Sequence, residues 1–169
     1  MAVEVDATGV AARPHTARTI HATVLLAGEA GILIRGASGA GKSALALALL
    51  DLLAARGRFA RLVADDQVFL AAVNGRLLAR VPAPIAGLVE RRGAGIEPIA
   101  HEPAAIVRLV VDLVEPAALE RVPEWQERLV RLAGIDLPRL TLPCRSAETA
   151  AGAVLATVER LGNPCGTGA

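Results

Sequence analysis

The sequence lacks the features that mark export, membrane insertion or nucleic-acid binding. No apolar stretch reaches the length of about 18 residues that a spanning helix needs, and residues 1–18 lack the charged-then-apolar order of a signal peptide. The 18 basic and 17 acidic residues nearly cancel, and no long basic cluster is present. Cys144 and Cys165 lack metal-ligand spacing, so we expect reduced, non-catalytic thiols. These features predict a cytoplasmic protein that binds neither nucleic acid nor membranes.

Lysine is scarce as well, because Lys42 is the only lysine among the 18 basic residues. Its segment matches the pattern G-x-x-x-x-G-K-[ST], in which backbone N–H groups cradle phosphates, the lysine reaches the terminal phosphates and the hydroxyl ligates Mg²⁺. One lysine in an arginine-rich chain indicates a site that fits a compact ammonium better than a planar guanidinium. The predicted nucleotide or pyrophosphate site, called the phosphate loop below, consists of Gly36, Ala37, Ser38, Gly39, Ala40, Gly41, Lys42 and Ser43.

The flanks of the phosphate loop agree with this prediction. Residues 31–35 form a short apolar run of strand type, and residues 43–54 are strong helix formers. A strand before the loop and a helix after it are the context that the motif requires. The alternative is a plain glycine-rich turn between a strand and a helix.

Length and hydropathy pattern predict one compact α/β domain. The chain has 169 residues, 53% of them hydrophobic, and we expect an N-terminal arm at 1–19, a folded domain at 20–161 and a tail at 162–169. Strands that follow one another after residue 57, with a hairpin at Asn74-Gly75, exclude a doubly wound sheet and favour a mixed one. Strands are predicted at 20–27, 31–35, 61–66, 68–73, 76–80, 106–113 and 138–142, and helices at 43–54, through most of 116–133, and at 146–161 with Ser146 as a cap.

Asp65 and Asp66 end an apolar strand, where their carboxylates would emerge at the same sheet edge as the phosphate loop. Phosphoryl transfer needs a carboxylate near Mg²⁺ or one that accepts the proton of the attacking hydroxyl, and two aspartates could divide these tasks. Asp112 is a competing candidate for a metal site, since it also ends an apolar run. The alternative for Asp65 and Asp66 is a solvated pair that opens a turn.

Four motifs follow one another along the chain: Ile20-His21, the phosphate loop, the segment 61–66 (RLVADD) and the segment 88–96 (LVERRGAGI). With these motifs the chain resembles the C-terminal catalytic domain of HPr kinase/phosphorylase over about residues 20–161. The segment 88–96 is similar to the family signature E-[IV]-R-G-x-G-[IL], and weaker resemblances follow at 109–113 and 139–145.

The resemblance implies a P-loop mixed-sheet fold like that of HPr kinase and phosphoenolpyruvate carboxykinase. It implies a kinase that uses ATP, or pyrophosphate in its place, to phosphorylate a serine of HPr, the phosphocarrier protein of the phosphotransferase system that regulates carbon metabolism. Asp65 would accept the serine proton, with His21, Lys42 and Arg121 as further catalytic residues, and Ser43 and Glu90 would hold Mg²⁺. Asp66, Arg92 and Arg145 lie in the same motifs and could support these residues.

The chain departs from the family pattern in two places. About nineteen residues precede the first predicted strand, where family members usually carry a further domain, so we expect a short form; the family is hexameric, and we expect a homo-oligomer. Ser146-Ala147-Glu148-Thr149 replaces the proline-glycine-arginine-asparagine associated with dephosphorylation, which leaves the phosphorylase activity open. Two alternatives to an HPr kinase are a P-loop kinase of a small molecule and a non-catalytic nucleotide-sensing regulator.

Overall fold

The computed structural model describes residues 18–91, 93–119 and 128–162. Within these ranges, no helix is both long enough and apolar enough to cross a membrane. The α-helices are α1 (Lys42–Ala55) and α2 (Ala147–Gly162). The strands are β1 (Arg18–His21), β2 (Thr23–Ala27), β3 (Ala30–Gly36), β4 (Ala60–Ala64), β5 (Gln67–Val73), β6 (Arg76–Arg80), β7 (Leu88–Arg91), β8 (Gly95–Pro98), β9 (Ala104–Val114), β10 (Leu129–Leu132) and β11 (Ile135–Pro143).

The main sheet is mixed, as predicted. Its strands run in the order β1-β5-β6-β9-β3-β2-β4, and β11 joins β9 with β10 beside it. The long strand β9 lies at the centre of the sheet. Along one of its edges β6 pairs with its first residues and β11 with its last, and along the other edge it pairs with β3. The neighbours β3, β9 and β11 are parallel, and the other pairs in this sheet are antiparallel. Because parallel strands end at the same sheet edge, the phosphate loop after β3 and the chain after β9 and β11 lie together.

Two apolar clusters cover the opposite faces of β2, β3 and β9. On one face α1 and α2 pack over the sheet, with Leu45, Leu49 and Val154 fully or almost fully buried. On the other face the strands β5, β6 and β10 fold over the sheet and bury residues such as Val68 and Leu77. Burial of this kind contributes about 25 cal/mol per Å² of apolar surface removed from water. The sheet edge that carries the phosphate loop is thus supported from both faces.

Three predicted elements were wrong in part. Residues 20–27 are not one strand, because the chain breaks at Ala22: β1 pairs with β5, whereas β2 pairs with β3 and β4. Residues 129–132, predicted as helix, form the strand β10, which Ala133 and Gly134 turn back onto β11 with φ of 49° and 82°. The Ser146 hydroxyl does not cap α2 but donates to the carbonyl of Pro143.

The signature segment forms a separate two-stranded sheet, β7 and β8, which the sequence pattern did not reveal. Residues 92 and 120–127 lie outside the described ranges, as do residues 1–17 and 163–169. The predicted arm, the predicted tail after Gly162 and part of the predicted helix at 116–133 therefore fall largely outside the described chain. In the described part of that helix, residues 116–118 form a single 3-10 turn.

Candidate active site

The phosphate loop connects β3 to α1, as its flanks predicted. Gly41, at the N-cap of α1, has a φ of 97°, in the left-handed region that favours glycine, and as a glycine it has no side chain to cap the helix. The first N–H groups of α1 therefore have no side-chain acceptor at this N-cap. Free N–H groups and the positive end of a helix dipole form a favourable environment for phosphate.

Lys42 is held inside the phosphate loop and is only 6% exposed. Its Nζ lies 3.1 Å from the carbonyl oxygens of Gly36 and Ala37 and 2.8 Å from Nε2 of His21. Burial lowers the pKa of Lys42 below its ordinary value, and the charges of Asp65 and Asp66 oppose that shift. The lysine thus sits where the motif needs a cation, with two carboxylates near enough to act on its charge.

Asp65 is the centre of the site. The residue is 6% exposed, and its carboxylate accepts hydrogen bonds from the hydroxyls of Thr23 at 2.7 Å and Ser43 at 2.8 Å. The backbone N–H of Glu90 donates to the same carboxylate at 3.3 Å. One side chain therefore joins β2, the phosphate loop and the β7–β8 hairpin. The sequence interpretation missed Thr23, whose only signal is a hydroxyl in an otherwise apolar strand two residues after His21.

Asp66 lies beside Asp65 but points to a different partner. Its Oδ1 is 2.8 Å from Nδ1 of His21, so the histidine links Asp66 to Lys42. The two aspartates divide their contacts, one toward Ser43 and the other toward His21. The structure therefore brings together His21, Lys42, Ser43, Asp65 and Asp66, which the sequence placed in three separate motifs.

These residues line a cleft of about 820 Å³, within the range of small-molecule sites. A second cavity of about 800 Å³ lies at the β2–β3 turn, at the opposite end of β3, and contains none of the predicted site residues. The first cleft is therefore the better candidate for the active site, because it contains the predicted site residues. Besides the five residues above, the first cleft is lined by Glu90, Arg91, Asp51, Arg145, Glu148 and parts of the phosphate loop and α1.

The donor set in this cleft fits Mg²⁺. Ser43, Asp65 and Glu90 bring one hydroxyl and two carboxylates to it, although the exposed Glu90 contacts Asp65 through its backbone alone. In the described part of the chain, no group of three or more His, Cys, Asp or Glu side chains forms a metal cage. Magnesium is commonly bound by one or two carboxylates together with waters and substrate phosphates, so it needs no such cage.

Arg145 is bound to the phosphate loop through its backbone. Its N–H donates to the carbonyl of Ala40 at 2.9 Å, and its φ of 58° is in the left-handed region. Its exposed guanidinium lies 3.4 Å from Glu115 at the rim of the cleft. Arg92 and Arg121, the other predicted arginines, lie outside the described residues.

Asp112 does not face the cleft. Its buried carboxylate accepts hydrogen bonds of 2.7, 2.7 and 2.6 Å from Arg35 and Arg139. Burial by itself raises the pKa of Asp112, but hydrogen bonds and charge from the two arginines outweigh it, and the pKa falls below its ordinary value. The carboxylate is occupied by cations, so the metal-site interpretation of Asp112 was wrong.

Cys144 fits the expectation of an unreactive thiol. It is buried, and desolvation together with the neighbouring Glu115 carboxylate raises the pKa of its thiol. Because only the deprotonated thiolate is a good nucleophile, a raised pKa makes this thiol less reactive. Cys165 lies outside the described residues.

Fold and site together define a P-loop domain in which the carboxylate that follows β4 contacts the loop serine. The sequence matches the HPr Serine kinase C-terminal domain over residues 14–162, and the chain belongs to this family. The resemblance and the mixed P-loop fold expected from the sequence are therefore confirmed.

Relatives and a solved structure agree with this assignment. The chain is 35% identical over 149 residues to an HPr kinase/phosphorylase of Stenotrophomonas maltophilia (strain K279a), covering 76% of this chain and 45% of the relative. It is 34% identical over 139 residues to one from Xylella fastidiosa (strain M12), covering 74% and 42%. The chain thus spans less than half the length of these relatives. The structure of the HPr(Ser) kinase/phosphatase from Coxiella burnetii superposes with a TM-score of 0.70 at 28% identity, over 84% of this chain and 96% of that one.

Proposed function

We propose that this chain is a cytoplasmic protein kinase that transfers the γ-phosphoryl group of ATP to a serine of HPr, with Mg²⁺ bound. The contact between Ser43 and Asp65 carries the proposal, because it joins the phosphate loop to a carboxylate at 2.8 Å. Family membership supports the reaction, and the names of the relatives support HPr as the substrate.

The residues of the cleft suit in-line phosphoryl transfer, in which positioning and electrostatics supply most of the rate. The N–H groups of the phosphate loop and the Lys42 ammonium would bind the phosphates. Asp65 would accept the proton of the serine hydroxyl as its oxygen bonds to the γ-phosphorus and the bond to the bridging oxygen of ADP breaks. Ser43 and Glu90 would hold Mg²⁺, which when bound neutralises charge on phosphate oxygens.

Asp65 is suited to accept a proton because its orientation is fixed. Thr23 and Ser43 both donate to Oδ1, and the Glu90 amide donates to Oδ2. A carboxylate held by three donors loses little freedom when a substrate hydroxyl arrives, so its position is preorganised. Among the described residues, Oδ2 accepts one hydrogen bond, of 3.3 Å, and is the oxygen more open to a substrate proton.

Mass spectrometry of purified HPr after incubation with this protein, ATP and Mg²⁺ tests the proposal. We expect one phosphoserine with the wild type and none with Asp65→Asn, which keeps the size of the side chain but removes its basicity. Asp136→Asn is the matched control. Asp136 is exposed, lies outside the cleft and forms an ion pair of 3.6 Å with Arg131. Equal phosphorylation by Asp65→Asn and wild type would show that Asp65 is not the proton acceptor.

Unmodified HPr combined with measurable ATP binding would contradict the protein-kinase activity and favour a small-molecule kinase or a nucleotide-sensing module. Repeating the incubation with pyrophosphate in place of ATP tests the alternative donor. Adding inorganic phosphate to purified phospho-HPr tests the phosphorylase reaction. The homo-oligomeric state stays a prediction, which sedimentation of the purified protein would check.

A further inference from the structure

The Lys42 ammonium has used all of its hydrogen bonds. An ammonium has three N–H donors and no acceptor. Two of its acceptors, the carbonyls of Gly36 and Ala37, belong to the phosphate loop itself, and the third is Nε2 of His21. A phosphate oxygen that binds Lys42 must replace one of the three. Since the carbonyls are part of the loop backbone, the imidazole is the partner that can leave.

The contact with Lys42 identifies the tautomer of His21. Because the ammonium can only donate, Nε2 must present its lone pair. A neutral imidazole with a lone pair on Nε2 carries its proton on Nδ1. That nitrogen lies 2.8 Å from Oδ1 of Asp66, which can accept a hydrogen bond from Nδ1–H. Asp66, His21 and Lys42 therefore form one directed chain of hydrogen bonds.

The backbone of Asp66 is adapted to this contact. Its φ is 72°, in a region that aspartate tolerates better than most residues but that still costs energy. Its carbonyl accepts the N–H of Ala22 at 3.3 Å, at the break between β1 and β2 directly after His21. The side chains of His21 and Asp66 are 49% and 66% exposed, and exposed pairs contribute little to folding stability. Stability alone therefore does not explain why a strained aspartate faces this histidine.

We propose that Asp66 is a positioning residue that, by holding the Nδ1–H tautomer of His21, keeps Lys42 in the phosphate loop until a phosphate oxygen replaces the imidazole. With the opposite tautomer, an N–H would face the ammonium and push Lys42 out of line with the phosphates. The nature of the phosphate ligand rests on the proposed function, but the tautomer and its effect on Lys42 do not.

The first test is ¹⁵N-histidine NMR of the ligand-free full chain, which separates a protonated ring nitrogen from an unprotonated one. The chain has three histidines, and His21→Gln assigns the signal of His21. We expect Nδ1–H in the wild type and a shift toward Nε2–H in Asp66→Asn, whose amide can donate to Nδ1. Asp66→Gly keeps the left-handed backbone without the carboxylate and should give a mixture. Asp51→Asn, which removes a carboxylate from the same cleft, should leave the tautomer unchanged.

The second test is calorimetric titration with a non-hydrolysable ATP analogue and Mg²⁺. Asp66→Asn should weaken binding about tenfold, a change well above the error of the method. In the His21→Gln background the same substitution should cause no such loss of affinity, because a glutamine oxygen accepts from Lys42 whatever Asp66 does. This background separates an effect through His21 from a direct electrostatic one.

Three results would overturn the proposal: Nε2–H in the wild type, an unchanged tautomer in both Asp66→Asn and Asp66→Gly, or an equal loss of affinity from Asp66→Asn in both backgrounds. Neither experiment contains HPr, so both can still be interpreted if the protein does not phosphorylate HPr. Conversely, a wild-type protein that binds no nucleotide analogue would overturn both the proposed function and the role of Asp66 in phosphate binding.

Discussion

Ser43 and Asp65 are 22 residues apart in the chain, yet the Ser43 hydroxyl donates a 2.8 Å hydrogen bond to Oδ1 of Asp65. The serine ends the phosphate loop, and the aspartate follows β4, which is separated from β3 in the sheet by β2. A hydroxyl that donates to Asp65 keeps its lone pairs free for a cation. The same contact can therefore orient both the proposed metal ligand, Ser43, and the proposed proton acceptor, Asp65.

Removal of the Ser43 hydroxyl should weaken nucleotide binding only when Mg²⁺ is present. We expect Ser43→Ala to lose most of the gain in affinity that Mg²⁺ gives, whereas Ser43→Thr, which keeps the hydroxyl, retains it. Titration calorimetry with and without Mg²⁺ measures this difference. Wild-type affinity of Ser43→Ala in Mg²⁺ would contradict the assignment of Ser43 as a metal ligand.

Replacement of Lys42 by arginine tests whether the site needs the shape of lysine or only its charge. Lys42 is 6% exposed and three acceptors surround its Nζ, which leaves little room for a planar guanidinium. We expect Lys42→Arg to lower turnover by about 10²-fold or more, as loss of a preorganised donor does elsewhere. The assay is phosphate transfer to HPr, with circular dichroism to check folding. Normal turnover would mean that the uniqueness of this lysine is accidental.

Gly87 should tolerate alanine poorly, because a Cβ there would lie 2.5 Å from Nδ1 of His101. Its φ is 71°, and its carbonyl accepts from Ile99 at the base of the hairpin that carries Glu90. We expect Gly87→Ala to lower the free energy of unfolding by about 2–3 kcal/mol, from backbone strain and displacement of His101 together.

The matched control for this substitution is Gly28→Ala, which has a φ of 59° and no atom within 4 Å of the added carbon. It should show the backbone cost alone, about 1 kcal/mol. Urea denaturation of both variants gives the difference. Equal losses would show that contact with His101 adds nothing to the effect at Gly87.

The pair of arginines around Asp112 should make stability depend on pH in the acid range. The folded-state pKa of Asp112 lies below its ordinary value of 3.8. The contribution of this carboxylate is therefore fully present above about 3.8 and is lost as pH falls through the lowered folded-state pKa. Asp112→Asn should cost about 2–4 kcal/mol at pH 7, because it leaves two partly buried guanidinium groups without a counter-charge.

Urea denaturation between pH 7 and pH 3 measures this effect. The variant should lose less stability on acidification than the wild type, since one titrating group is gone. Asp136→Asn, at an exposed pair with Arg131, should follow the wild-type curve closely. Parallel acid curves for Asp112→Asn and the wild type would contradict the proposed linkage.

Short-range elements could be predicted because local chemistry determines them. The turn Asn74-Gly75 joins β5 and β6 as expected, with φ of 49° and 72°. Residue 22 shows the limit of such prediction. The residues around it have the pattern of one apolar strand. The break shows only in the tertiary structure, where β1 and β2 pair with different strands and the Ala22 amide donates to the Asp66 carbonyl. In residues 129–132 the alternation of apolar and polar side chains is too weak to distinguish a strand from a helix. Pairing with β11 makes this segment a strand.

The sequence by itself determined the phosphate loop and the identity of the residues that can do chemistry around it. Glycine conformation and helix propensity act over a few residues, and side-chain functional groups belong to single residues. Features that depend on them can therefore be predicted from the sequence alone. Tertiary structure alone excluded Asp112 from the cleft, since Asp65 contacts Ser43 whereas Asp112 contacts Arg35 and Arg139. It also decided that Thr23 contacts Asp65 and that Asp66 contacts His21. Such contacts join residues far apart in the chain, and they form only when sheet register and packing on both faces bring those residues together.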